Sequence, residues 1–230
     1  MATMAIGPRR AWNIGRWANV RSVSTLQGHP YIYTFPDSAR PGHHVLSLLS
    51  SEPPKAELAI GTTSKLPPTP DSFTENSKFL QILQEVVSEY ATEDPEVKSQ
   101  AQVMISTAGA NLGSGGVFFA QNRKPHRPRY GGGGGTGGDS AGGASGQGGA
   151  GSGGRGGWIH VSDSRRPPEY GRIAWPEDIF GSVEVDSNGE FVGEKGNYQS
   201  SGTYRIITRD GILGLSPFLR EKLVQRLRKQ

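Results

Sequence analysis

The chain has 230 residues, of which only 33% are hydrophobic while 34 are Gly and 16 are Pro, and it carries a net charge of +4. So little apolar surface cannot fill a core along the whole length, which places long stretches of the chain outside any folded unit. The absence of cysteine excludes disulfides, thiolate metal sites, iron–sulfur ligation and a Cys nucleophile, and the most apolar windows, such as Phe79 to Val87, fall far short of the roughly 20 apolar residues of a spanning helix.

Residues 1–36 contain no Asp or Glu, yet Arg9, Arg10, Arg16 and Arg21 alternate with Trp12, Ile14, Trp17 and Val20. An Arg-rich, acid-free, amphipathic leader is the pattern of a mitochondrial transit peptide, because positive charge is drawn inward by the membrane potential. The run Arg21-Ser22-Val23-Ser24-Thr25 has the arginine-then-small-residue character of a processing site, which sets residues 1–25 as the expected transit peptide, cut near Ser22 to Leu26. No continuous apolar core follows the basic residues, as a secretory signal requires.

Residues 26–70 carry Pro36, Pro41, Pro53, Pro54, Pro67, Pro68 and Pro70 and read as a disordered Pro/Ser-rich tether. Its short apolar pieces, Tyr31-Ile32-Tyr33 and Val45 to Leu49, offer contacts to a partner or to the folded module. A helix is expected from Ser72 to Ala91, capped by Thr74 or Ser72, with Phe79, Leu80, Ile82, Leu83, Val86, Val87 and Tyr90 on one face. A second begins at Asp94-Pro95-Glu96, with Pro95 in the first turn, and runs through Val97, Ala101, Met104 and Ile105; the two are expected to form a hairpin. With a strand at 116–122, these helices make up a segment from 71 to 125.

Residues 126–157 read as a disordered basic and Gly-rich insertion, since 131–157 hold 17 Gly and no apolar side chain larger than Ala. Whether it is a loop within one domain or a linker between two is open at this level. A β-rich module follows from 158 to 230. Trp158-Ile159-His160-Val161 reads as a strand, 182–193 as a hairpin turning at Asn188-Gly189, and 203–213 as a further pair turning at Asp210-Gly211. Ser216-Pro217 starts a final helix, with Phe218, Leu219, Leu223, Val224 and Leu227 on one side and Arg220, Lys222, Arg226, Arg228 and Lys229 on the other. The expected fold class is α+β: a small antiparallel sheet with a helical hairpin and a C-terminal amphipathic helix, plus long disordered N-terminal and Gly-rich segments.

The chemistry-bearing residues do not assemble into a motif. Histidines stand at 29, 43, 44, 126 and 160 without a metal-ligand spacing. Gly109 to Gly116 follows a helix and precedes a strand, the reverse of a phosphate-binding order. Glu177-Asp178, after Trp175-Pro176, reads as acids in the first turn of a helix, where the dipole favours them. No catalytic, cofactor-binding or metal-ligating residue is therefore assigned, and no cofactor is expected. The cationic run Arg123, Lys124, Arg127 and Arg129 beside the Gly tract is a candidate contact for RNA or a partner. The basic face of the last helix is a candidate for a partner groove or for peripheral contact with the inner membrane, although packing its Leu face as core needs neither.

These features point to a non-enzymatic mitochondrial accessory or assembly protein of a matrix or inner-membrane complex, such as the respiratory chain or the mitochondrial ribosome. An RNA-contacting matrix protein using residues 123–129 is the second reading. The third is a small enzyme whose site forms only in space, from groups such as His160, Asp163 or Glu177.

Overall fold

A computed structural model describes residues 23–105, 156–168 and 172–230. Residues 1–22 of the expected transit peptide, the expected strand 116–122, the basic run 123–129 and the Gly-rich tract up to Arg155 lie outside these residues. The architecture is α+β, with antiparallel sheets and, among the described residues, three α-helices around a shared core.

The stretch expected as a tether is the largest sheet. Strands β1 (Ser24–Leu26), β2 (His29–Pro36), β3 (His44–Ser47), β4 (Gly61–Thr63) and β5 (Phe73–Glu75) pair antiparallel in sequence order. The prolines punctuate this sheet instead of breaking it. Pro36 closes β2, Pro41 lies in the β2–β3 turn, and Pro67, Pro68 and Pro70 lie in the β4–β5 connection, positions where no ladder N–H is needed. The apolar piece Tyr31–Tyr33 lies within β2, and Val45–Leu49 runs through β3 and just past its end, with Ile32, Leu46 and Leu48 buried in the core. Gln27-Gly28 turns β1 into β2, and Gly28 has the positive φ (79°) that such a tight turn demands. On the reverse face Phe35, Val45 and Ala59 form a separate small cluster against Tyr33.

Helix α1 (Ser77–Tyr90) starts later than its apolar periodicity suggests, because Phe73–Glu75 is claimed by pairing with β4. Its cap is Asn76, neither Ser72 nor Thr74. The Asn76 side-chain oxygen accepts the Lys78 N–H at 3.1 Å, while its NH₂ donates to the carbonyls of Glu57 (2.9 Å) and Ala59 (2.7 Å), so one side chain both starts the helix and ties it to the sheet. Phe79, Ile82, Leu83, Val86 and Val87 are buried, as the periodicity predicts.

The expected helical hairpin is not the pairing observed. Helix α2 (Pro95–Ile105) follows a short 3₁₀ turn (Ala91–Glu93) and turns Val97, Ala101 and Met104 into the core over β6 (Gly157–Ser162). A Cβ on Gly157 would stand 2.5 Å from the Met104 methyl, so the helix seats on this glycine. The partner of α1 is instead α3 (Pro217–Arg228), whose Leu219, Leu223 and Leu227 form a buried ridge at four-residue spacing. Arg226 of α3 pairs with Glu89 and, at 3.6 Å, with Glu85 of α1. Periodicity identifies apolar faces but not which faces meet.

The starts of α2 and α3 are fastened to one carboxylate. Asp94 Oδ1 accepts the Glu96 N–H at 2.8 Å, and its Oδ2 accepts the hydroxyl of Ser216, the N-cap of α3, which itself accepts the Leu219 N–H at 3.1 Å. Both side chains are buried.

A second sheet, in the order β6, β7 (Ile179–Val185), β8 (Gln199–Ser200), and a two-stranded ribbon of β9 (Ile207–Thr208) with β10 (Gly211–Ile212), complete the structure. The turn after β7 forms where Asn-Gly places it, with Gly189 at φ 84°, but the returning segment 190–192 makes a single bridge, Phe191 to Val185, instead of a full strand.

Leu223 is fully buried between α3 and α1, and truncating such a side chain loses both its burial and its packing. Leu223→Ala is expected to lower the unfolding free energy by about 2–5 kcal/mol, measured by urea denaturation followed by circular dichroism.

Candidate functional site

After β6 the chain makes a polar turn, Asp163-Ser164-Arg165-Arg166. In the fold, Arg165 is enclosed: its side chain is 2% exposed, and those of Asp163 and Asp178 are 0% and 1% exposed. Arg165 Nη2 stands 3.2 Å from Asp163 Oδ2, and Nε stands 2.8 Å from Asp178 Oδ1, the latter an ion pair without the alignment of a hydrogen bond. The guanidinium also donates to the carbonyls of Arg205 (2.6 Å), Ile206 (3.0 Å), Gly211 (3.2 Å) and Glu177 (3.3 Å). Its fixed fork of donors suits this gathering of acceptors, which the single ammonium of lysine could not reach.

Asp163 is correspondingly well supplied. Its Oδ1 accepts the N–H groups of Arg165 and Gly214, both at 2.9 Å, and its Oδ2 accepts the Tyr204 hydroxyl at 2.9 Å. The Tyr204 ring lies 4.4 Å from that of Phe180 and 5.4 Å from the guanidinium. Burial nevertheless pushes the Asp163 carboxyl up to about 6, against the lowering by Arg165 and by these hydrogen bonds. Asp178 is raised by burial, opposed by Arg165 and reinforced by Glu177 and Asp210. Tyr204 is held far above its ordinary value by burial and by the carboxylate beside it. Glu177 and Asp178 do stand in the first turn of a helix, as Trp175-Pro176-Glu177-Asp178 suggests, but Asp178 is buried. Pro176–Asp178 is one 3₁₀ turn with Pro at its start, and it delivers Asp178 inward.

Two of the residues whose carbonyls Arg165 holds, Glu177 and Arg205, line an open cleft of about 1040 Å³. One side of the cleft is β5, the other the segment Thr203–Asp210, and Trp175-Pro176-Glu177 lies between them. The two sides are joined where Glu75 Oε1 accepts the Ile206 N–H at 2.9 Å, and the Thr203 hydroxyl ties the 3₁₀ turn by donating to the Pro176 carbonyl at 2.7 Å. Trp175 is 59% exposed here, an unusual placement for the largest apolar side chain. Arg166 pairs with Asp210 at 3.0 Å, whereas no ion-pair partner for Arg205 or Arg209 is found among the described residues.

The structure separates the groups that an enzyme reading would bring together. Asp163 is sealed in the arginine cluster, Glu177 lines the cleft, and His160 lies on β6 with Nδ1 2.8 Å from Ser182 Oγ of the adjacent strand, lining neither this cleft nor the smaller cavity of about 270 Å³ beside the β1–β2 turn. Among the described residues no three His, Asp or Glu side chains converge as a metal site, and no helix is long and apolar enough to cross a membrane.

The basic face of α3 is largely engaged by the protein itself. Arg220 stacks on Tyr31 at 3.6 Å, Lys222 lies over Tyr90 (4.6 Å) and Phe218 (5.2 Å), and Arg226 pairs with α1. Arg228 and Lys229 sit exposed at the helix end, where cations suit the dipole.

Two consequences of the arginine cluster are measurable. Arg165→Ala leaves two buried carboxylates without a cation and is expected to lose about 3–5 kcal/mol of stability, whereas Arg166→Ala, next in sequence but solvated, loses about 1 kcal/mol or less; urea titrations of both variants test the contrast. Because the Asp163 value is raised on folding, its stabilising contribution is present below the unfolded carboxylate value and is lost as pH rises through about 6. The unfolding midpoint is therefore expected to fall between about pH 4 and about pH 6, with a shallower slope in Asp163→Asn, as read by thermal denaturation across that range.

Compared with known proteins, the chain matches no protein-family model, no curated protein and no solved structure.

Proposed function

We propose that this protein is a non-enzymatic accessory or assembly component of a mitochondrial complex in the matrix or at the matrix face of the inner membrane, such as the respiratory chain or the mitochondrial ribosome. The observation that carries the reading is the cleft. It offers a strand edge, an exposed indole and guanidinium groups, which are the means of holding a macromolecule.

The address rests on the leader. Its four arginines lie at positions 9–21 with no acid among them, and the first strand begins at Ser24. A cut at Arg21 leaves every described strand whole, whereas a cut beyond Leu26 removes β1 and a buried side chain that pairs opposite His29. Processing that preserves the fold is thus confined to the first part of the window from Ser22 to Leu26.

Terminal sequencing of the protein purified from mitochondria is expected to find a first residue at 22–24. Size-exclusion of the mitochondrial lysate is expected to place it in an assembly far heavier than its own mass, and that mass is expected to survive ribonuclease. A protein that keeps Met1 and fractionates away from mitochondria overturns the location; a native mass that collapses only with ribonuclease overturns the protein-assembly role in favour of RNA contact.

A further inference from the structure

The smaller cavity, of about 270 Å³, opens between the β1–β2 turn and the segment that leads into α3. Its lining is residues 28–32 and 212–215, with Leu48, Ser164, Arg165 and Arg220. Most of these side chains are apolar, and no Asp or Glu is among them. The Arg165 guanidinium is turned to Asp163, Asp178 and backbone carbonyls. The Asp163 oxygens, behind this wall, accept from Arg165, Gly214 and Tyr204. Arg220 is then the cation whose charge the cavity receives.

The Arg220 guanidinium lies on the Tyr31 ring, 3.6 Å from its centroid, and among the described residues it has neither an ion pair nor a side-chain hydrogen bond. Stacking occupies one face of the planar group and leaves the N–H donors along its edge available. Two neutral groups share the lining. The Ser164 hydroxyl stands against Gly214, where a Cβ would be 3.0 Å from it. Neither that hydroxyl nor the His29 imidazole is hydrogen-bonded within the described residues. Burial holds the imidazole below its ordinary value, so it is uncharged at neutral pH.

Apolar walls with a few convergent polar groups are the makeup of a small-molecule site. One unpaired guanidinium matches one negative charge, and its planar edge suits a carboxylate through two parallel N–H···O bonds. A doubly charged phosphate monoester would bring a second charge into an apolar cavity with no cation to meet it. The volume equals that of roughly nine liquid waters, which limits the ligand to an acid of about four or five carbons.

We propose that this cavity binds a short aliphatic monocarboxylate, with its carboxylate on the Arg220 guanidinium beside Ser164 and His29 and its hydrocarbon end against Ile32, Leu48 and Leu215. None of the lining residues belongs to the larger cleft, so this site stands or falls apart from the assembly role.

The test titrates the isotopically labelled full chain and follows its amide resonances. Pentanoate is expected to give saturable shifts centred on residues 28–32 and 212–215. Acetate, which has the head without the body, pentanamide, which has the body without the charge, and butyl phosphate are each expected to bind at least about tenfold more weakly. Arg220→Glu is expected to lose pentanoate and to gain pentylamine at the same resonances, an exchange that misfolding cannot mimic.

Pentanoate shifts that do not saturate or that scatter over the surface overturn the proposal, as does equal binding of acetate or pentanamide. Butyl phosphate binding as tightly as pentanoate overturns the carboxylate class. A short peptide ending in a free Leu carboxylate that binds more tightly than pentanoate overturns the small-molecule assignment. Retention of pentanoate by Arg220→Glu, or its failure to take pentylamine, removes Arg220 from the site and the proposal with it.

Discussion

The C-terminal half of this protein is organised around one guanidinium. Between β6 and α3 the carbonyls of Glu177, Arg205, Ile206 and Gly211 gather at one point, and those of Glu177 and Ile206 also accept a backbone N–H, from Arg205 and Leu213. Arg165 donates to all four while meeting the carboxylates of Asp163 and Asp178. The arrangement sets two carboxylates against one cation in a place from which water is largely removed, and the structure meets the imbalance by surrounding Asp163 with N–H and O–H donors.

The same cluster explains why the cleft holds its shape. Its walls come from segments distant in sequence, 73–75, 175–177 and 203–210, and the last two are joined behind the surface by Arg165 and by the Arg205 N–H donating to the Glu177 carbonyl at 3.0 Å. Trp175 can remain exposed because the turn that carries it is anchored by the buried Asp178 and by Thr203. A rigid rear face and an open front are the combination that a recognition surface needs, since affinity is lost when loops must be ordered on binding.

Much of the fold is legible in the sequence where local signals act alone. Ser216-Pro217 begins α3 where the cap chemistry places it, the buried face of α1 follows from its apolar spacing, and β6 and β7 alternate as half-buried strands. The large sheet is hidden because its strands are short and its prolines imitate a linker; their placement at strand ends emerges only from the pairing. Pairing also moves the cap of α1 to Asn76 and separates α2 from α1, neither of which periodicity can report. The arginine cluster carries no sequence signal at all, because Ser162-Asp163-Ser164-Arg165-Arg166 has the composition of a solvated turn. The cleft is equally silent, being assembled from three segments none of which is distinctive by itself.

Helix α3 lies at the far end of the chain, yet it covers α1, caps itself through Asp94 and stacks Arg220 on Tyr31 of the first sheet. Because these contacts join segments distant in sequence, the face of α1 that α3 covers stays open to solvent until the two helices meet, and an apolar face left open in that way is where a folding intermediate associates with another chain.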